Sequence, residues 1–323
     1  MDMKGMGIVE LMALLALKRQ SVPLKADVVF LGVADEEAGG AMGAGFIVKD
    51  HFDLIQDAGT VLNEYNYIAV DETGEVRYYG GEASQKTPLW LKLTATGTPG
   101  HGSMPRPDSA VNRLIQALAR ITSFETPLKV EPEVQRFYAD SAGVDLKESL
   151  KSSAFAEEFT KNLRANAEVR NTISITMLEA SNRINVIPPQ ASAQLDVRLL
   201  PSETPERFLD ALREVIADDS IQIETLLSWP PSRSPTDTEF FRVLEKVANR
   251  FDPGARVTTT LPTPFTDCHY FRENQIPCYG FMPFKLTDRE NALLHGNDER
   301  LSVENLKLGT RVMYEIVRRM AAE

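Results

Sequence analysis

The sequence predicts an α/β domain interrupted by an inserted α+β unit, and three observations carry that reading. Apolar, β-branched runs alternate with helical periodicity over residues 1–79 and again from residue 238 onward. Between them the pattern strand, helix, strand, strand, helix, strand runs from residue 89 to 226, the order of a ferredoxin-like split βαβ sandwich. Acidic clusters fall where runs that read as strands end, and open α/β sheets place their chemistry at strand termini.

The chain opens with Met1-Asp2-Met3-Lys4-Gly5 leading into an apolar helix over residues 8–17, with Asp2 where an N-cap or first-turn anion is favoured. Glu10 interrupts the apolar run and Lys18-Arg19 follows in place of a small-residue cleavage site, so the stretch reads as a buried helix and not as a signal peptide. No apolar run reaches the ~18 residues that a membrane span needs. Residues 26–33 read as a buried strand that delivers Asp35-Glu36-Glu37 into a loop. Adjacent carboxylates repel and are held together most easily by a cation; the alternative is a solvated acidic turn.

A helix through residues 44–48 follows, then an apolar run over residues 59–62 that ends in Asn63-Glu64. Residues 67–70 and 76–79 form a predicted hairpin across Asp71-Glu72-Thr73-Gly74. Residues 80–87 have the outline of a phosphate-binding loop, but Gln85 stands in place of its second glycine and Pro88 blocks the helix that must follow, so no phosphate site is assigned.

The pattern changes at residue 89. A strand over residues 89–96 runs into Gly100-His101-Gly102-Ser103-Met104-Pro105, and a helix after Pro107 places Val111, Leu114, Ile115 and Leu118 on one apolar face. Residues 125–170 are mostly polar and read as an insertion. Strands over 172–178 and 191–199 flank Asn185-Val186-Ile187-Pro188; Thr204 caps and Pro205 opens a helix carrying Phe208, Leu212, Val215 and Ile216. A strand over 221–226 closes this unit, and the proline-rich 229–235 leads back to the first domain. There a helix over 238–249, strands over 256–260 and 277–281, a loop with Thr266-Asp267-Cys268-His269, a loop ending in His295-Gly296-Asn297-Asp298-Glu299, and a last helix capped by Ser302 complete the chain. The predicted boundaries are 1–86 with 230–323 for the α/β domain and 87–229 for the insertion.

A net charge of -11 and the lack of any Lys/Arg cluster argue against nucleic acid or an anionic membrane as partner. Cys268 and Cys278 are the only cysteines; they make neither a disulfide framework nor a Cys-x-x-Cys zinc pattern, and a bridge between them is open. With no signal peptide in the sequence, a cytoplasmic location is the expectation.

Asp2, Glu36, Glu37, Glu64 and His295 all sit at loop or helix-start positions of the same α/β domain, so they can converge on one sheet edge. Carboxylates with one imidazole suit zinc, manganese or cobalt, whereas calcium and magnesium rarely recruit histidine. Taken singly, His295 reads as an ordinary surface or core histidine.

In its motifs the chain resembles the aminoacylase/carboxypeptidase family of dinuclear zinc amidohydrolases, metallopeptidase family twenty, which includes glutamate carboxypeptidase and succinyl-diaminopimelate desuccinylase. The likeness rests on Asp-Met-Lys-Gly at 2–5, Asp-Glu-Glu-Ala-Gly-Gly at 35–40, Gly-His-Gly-Ser-Met-Pro at 100–105, Asn-Val-Ile-Pro at 185–188, Asp-Val-Arg at 196–198, Thr-Asp at 266–267 and His-Gly-Asn-Asp-Glu at 295–299. Each is weak alone; seven in order make the signal.

The resemblance implies a zinc-exopeptidase-like catalytic domain and an inserted ferredoxin-like lid and dimerisation domain, hence a homodimer. It implies that Asp2 bridges two metals, that Glu37 and His295 complete one site, and that Glu64 belongs to the other. Glu36 would be the general base, His101 the oxyanion partner, and Asn185 and Arg198 the substrate grips, with an ion pair as the ordinary reading of Arg198. The expected cofactor is one or two Zn2+, with Mn2+ or Co2+ as alternatives, and the expected reaction is hydrolysis of an amide in a small peptide or N-acyl amino acid. The family carries a His-x-Asp motif ahead of the Asp-Met-Lys-Gly motif, and this sequence starts at Met1, so the Glu64-side metal is expected to rest on Asp2 and Glu64 alone. A catalytically impaired dimeric binding protein and a metal-dependent esterase are the alternatives.

Overall fold

The computed structural model describes residues 1–322, which divide into two compact units: Met1–Gln85 with Pro132–Ser152 and 232–322, and Lys86–Glu131 with Ser153–Pro231.

The first unit is built on a mixed six-stranded sheet. Its strands run in the order Val61–Asn63, Cys278–Gly280, Val76–Glu82, Ile68–Val70, Lys285–Leu286, with Val257–Thr260 also paired to Val76–Glu82. Ile68–Val70 and Val76–Glu82 pair antiparallel, as the predicted hairpin requires, while Val61–Asn63 lies parallel to Cys278–Gly280. Because side chains alternate along a strand, Ile68 and Tyr79 turn to one face and Ala69 and Tyr78 to the other. The first face packs against Phe240, Leu244 and Val247 of the helix Glu239–Phe251 and Val312 and Ile316 of the helix Val303–Ala322. The second packs against Met6, Val9 and Ala13 of the helix Lys4–Arg19 and Met313 of the last helix. Ser302 caps that last helix, its hydroxyl accepting the Asn305 N–H at 3.0 Å. Cys268 and Cys278 are joined in a disulfide, which ties the helix Cys268–Glu273 to the strand Cys278–Gly280.

Two expectations are corrected here. Residues 26–33 form no strand, and they are not buried: Val29 is 69% exposed, with Phe30, Leu31 and Val33 also exposed. A β-branched run becomes a strand only beside another strand, and among the described residues none pairs with it; the N–H groups of Lys25 and Ala26 bond instead to the Ala321 carbonyl. The polar stretch 125–170 is also divided between the units. The helix Pro132–Ala142 belongs with the first, because Val134 is buried and the Phe137 ring meets Tyr78 edge-on at 5.3 Å.

The second unit holds a four-stranded antiparallel sheet in the order Thr172–Glu179, Gln190–Leu199, Thr87–Thr96, Gln222–Ser228. Leu89, Leu91 and Leu93 alternate with less buried neighbours and face Ala193, Leu195 and Val197 across the ladder. Leu114 and Leu118 of the helix Ala110–Thr122 and Phe208, Leu212 and Ile216 of the helix Pro205–Ile216 close over that surface. Ser109 and Thr204 cap these helices, and Pro205 opens the second as expected. No helix among the described residues is long and apolar enough to cross a membrane.

Candidate metal centre

The acidic loop is shaped by its own backbone. Asp35 adopts a left-handed conformation, φ 74°, one of the few residue types that tolerates it, and its carbonyl accepts the N–H groups of Ala38 and Gly40 at 3.1 and 2.7 Å. Its side chain accepts the Met42 N–H at 3.0 Å, closing the turn from which the short 3₁₀ turn Glu36–Ala38 projects two consecutive glutamates. Gly40, with φ +68°, is the residue that allows this packing: a Cβ there would lie 2.0 Å from Asp267 Oδ1. The Tyr270 hydroxyl donates to the Gly39 carbonyl at 2.7 Å, so the loop and the Thr266-Asp267 segment are held against each other.

Asp2 and His295 arrive from the two ends of the chain. His295 Nε2 lies 2.8 Å from Asp2 Oδ2 and 3.2 Å from Glu37 Oε1. One ligand atom from each of these three residues falls within 4.8 Å of the others, a span that a single divalent cation can bridge. Asp2 does not cap the first helix as expected. That helix starts at Lys4 behind Met3 with no side-chain cap, because the Asp2 carboxylate is turned toward His295. Glu64, just past the strand Val61–Asn63, shares a side-chain hydrogen bond with Asp2. The centre is covered on one side and open on the other: the Asp2 side chain is 15% exposed, while those of Glu37 and His295 are 69% and 63% exposed.

Burial and the crowding of negative charge raise three acids of the cluster, Glu36, Glu64 and Asp267. Burial, reinforced by Asp267, Glu37 and Asp2, pushes Glu36 up to about 7, with His295 opposing. Glu64 is raised by burial, by its shared hydrogen bond with Asp2 and by Glu36. Asp267 is pushed to about 6 by burial and Asp35. The hydrogen bond to Asp2 raises His295, and the Glu37 charge adds to it. Carboxylates that repel, with one imidazole within reach, fit a borderline cation such as zinc, and the neutralising charge would relieve the strain.

Asp2, Glu37 and His295 therefore come together, with Glu36 and Glu64 beside them. The remaining site candidates lie in the second unit. His101 is exposed on the two-residue strand Gly100–His101, paired with Val186–Ile187; its Nδ1 lies 2.8 Å from Ser103 Oγ and accepts the Ser103 N–H at 3.2 Å. The Asn185 carbonyl accepts the Gly102 N–H at 2.8 Å, so Asn185 and His101 are neighbours. Arg198 is forked onto Asp196 of its own strand at 2.6 and 3.0 Å. Two acids stood inside quoted motifs without a role. Asp267 joins the cluster, and Glu299 accepts the N–H groups of Asp2 and His295 at 2.7 and 2.9 Å.

The chain is similar to several known proteins. A probable carboxypeptidase S-like 2 of Dictyostelium discoideum is 26% identical over 340 residues, covering 98% of this chain and 64% of its own length. Aminoacylase-1 of Homo sapiens is 29% identical over 310 residues, covering 93% of this chain and 65% of its own. The chain thus spans less than two-thirds of the length of these relatives. Among solved structures, an M20 family metallo-carboxypeptidase from Sulfolobus solfataricus superposes with a TM-score of 0.66 at 16% identity, covering 97% of this chain and 75% of that one. The YXEP protein of Bacillus subtilis, a dinuclear metal binding peptidase of the same family, gives a TM-score of 0.60 at 16% identity, covering 95% and 69%. The model of peptidase family M20/M25/M40 matches residues 1–319, and the chain belongs to that family.

Proposed function

We propose that the chain carries the centre of a metal-dependent amidohydrolase that cleaves the amide bond of a small peptide or an N-acyl amino acid. The observation that carries this reading is the meeting of Asp2, Glu37 and His295 within one cation's reach, beside a glutamate pushed to about 7. Asp2, Glu37 and His295 would hold a divalent cation, zinc by preference and manganese or cobalt by the same donor chemistry, and Asp2 with Glu64 would offer a second position. When bound, such a cation supplies Lewis acidity that activates water and polarises the scissile carbonyl.

Glu36 takes the proton of the attacking water and returns it to the departing amine. A glutamate beside the ligand set is suited to both transfers, since it must accept a proton and then give it up. Burial, with the charges of Asp267, Glu37 and Asp2 adding to it, holds the proton affinity of Glu36 high. His101 stabilises the oxyanion and Asn185 helps seat the substrate. Arg198 reaches a substrate carboxylate only after its pair with Asp196 opens. The second unit's strand order, with both helices packed on one sheet surface, supports reading it as ferredoxin-like, and the family resemblance supports a lid and dimerisation role in a homodimer. The relatives named as a carboxypeptidase and an aminoacylase support the substrate class.

Glu36→Gln tests the reading. It removes a base and leaves Asp2, Glu37 and His295 in place, so hydrolysis of N-acetyl amino acids and dipeptides should fall below detection while zinc content per chain is unchanged. Retained hydrolysis would remove Glu36 from the role of base.

A further inference from the structure

We infer that Glu299 is the positioning residue of this centre, setting the spacing between Asp2 and His295 through their backbones. The inference rests on the metal-centre reading above. Asp2 and His295 belong to segments at the two ends of the sequence, and neither segment is a regular element at the residue concerned: Asp2 precedes the first helix, and His295 lies in a loop before the last. A ligand on an irregular segment keeps its place only if something else holds its backbone. Glu299 does this for both at once. One carboxylate oxygen accepts the Asp2 N–H at 2.7 Å and the other accepts the His295 N–H at 2.9 Å.

The conformation of His295 shows why a clamp is needed. Its φ of 60° lies in the left-handed region, which costs a non-glycine residue free energy and persists where surrounding contacts impose it. The Glu299 carboxylate bonds the N–H of that residue, and the carboxylate's second oxygen is engaged by the partner ligand's backbone. Released from Glu299, His295 would relax toward the ordinary regions of φ. Its Nε2 would then leave the position 2.8 Å from Asp2 and 3.2 Å from Glu37 that makes the three donors one set. Oε1 also takes the Met1 amino group at 2.7 Å, so both Glu299 oxygens are engaged by N–H donors and its task is to hold ligands and not to be one. Supporting partners of this kind typically change metal affinity by roughly 10–100-fold when removed.

The chemistry also orders the variants. Alanine removes both acceptors. Glutamine keeps one oxygen and presents an NH2 group to the other N–H, so it serves one ligand segment and opposes the second.

Co2+ is the probe, because its visible absorption reports the geometry of its donors as well as occupancy. Metal-free wild type, Glu299→Ala and Glu299→Gln are titrated with Co2+, and urea unfolding of each metal-free protein is recorded alongside. The expected result is a 10–100-fold loss of Co2+ affinity in Glu299→Ala with a changed absorption spectrum, and a smaller loss in Glu299→Gln. Wild-type affinity and spectrum in both variants, whatever their urea midpoints, would overturn the inference and leave Glu299 as loop support alone. Should Glu299→Ala fail to fold, Glu299→Gln decides on the same criteria. A wild-type protein that takes up no Co2+ would sink the metal centre itself, and this inference with it.

Discussion

His295 Nε2 lies 2.8 Å from Asp2 Oδ2 although 293 residues separate them in sequence. No local rule of secondary structure brings such residues together; the first and last helices pack side by side through Met6, Val9 and Met313, and their ends carry the two side chains to one place. The candidate metal centre is in that sense a product of the core of the first unit, and it can be perturbed from the packing as well as from the proposed ligands.

Gly40→Ala makes such a perturbation. The new Cβ would collide with Asp267 Oδ1 and would sit at φ +68°, a left-handed conformation that costs an alanine about 1–2 kcal/mol before any clash is counted. A fall of at least that size in unfolding free energy, measured in urea, should accompany weakened zinc binding. An unchanged midpoint would mean that the loop is not packed against Asp267.

His101→Ala tests the second unit's part in the chemistry. Loss of an oxyanion partner lowers turnover by roughly 100-fold or more. Zinc content should not change, since His101 is not among the proposed ligands. Steady-state hydrolysis of an N-acetyl amino acid reads the effect, and undiminished turnover would take His101 out of the mechanism.

Lys86 is wholly buried, and its ammonium donates to the carbonyls of Ala167 and Arg170 at 3.0 and 2.8 Å and to the Thr172 hydroxyl at 3.1 Å. Burial pushes its pKa down to about 7, an opposing cost that trims the net value of those bonds. Lys86→Met leaves three acceptors without their donor, and the expected loss is on the order of 3 kcal/mol. Chemical denaturation measures it; a neutral result would show that the desolvation of the lysine cancels its bonds.

Acid sensitivity should depend on His269. Burial, with the Arg272 charge adding to it, pushes this imidazole down to about 3 from an ordinary value of 6.5. Above pH 6.5 it is neutral folded or unfolded, and the stability it contributes is complete. Between pH 6.5 and 3 the unfolded chain binds a proton that the folded chain refuses, so stability is lost as pH falls through that window. His269→Gln cannot take up that proton. Its melting temperature should therefore drop less between pH 7 and 4.5 than that of wild type, both measured metal-free; parallel curves would contradict the assignment.

How much of this was legible in the sequence follows from what each feature depends on. Periodicity and caps are local: the helix opened by Thr204-Pro205, the last helix capped by Ser302 and the hairpin around Asp71 to Gly74 all form where their residues predict. Pairing is not local. Residues 26–33 have strand chemistry, but among the described residues no strand lies beside them, and the helix Pro132–Ala142 joins the first unit through Val134 and Phe137, which a mostly polar stretch does not advertise. In the centre, residue type and loop or helix-start position let Asp2, Glu37 and His295 be grouped, and the family resemblance supplied their expected roles as ligands. Asp267 and Glu299 act through burial and backbone contacts, which no one-dimensional spacing records.

The most direct test is zinc-edge X-ray absorption on protein purified without chelator, compared between wild type and His295→Ala. In wild type the spectrum should show a low-coordinate shell of oxygen and nitrogen with the multiple-scattering signature of one imidazole, and His295→Ala should lose that signature together with most of its zinc. A wild-type protein without zinc, or zinc whose shell is the same after His295→Ala, would contradict a centre built from Asp2, Glu37 and His295.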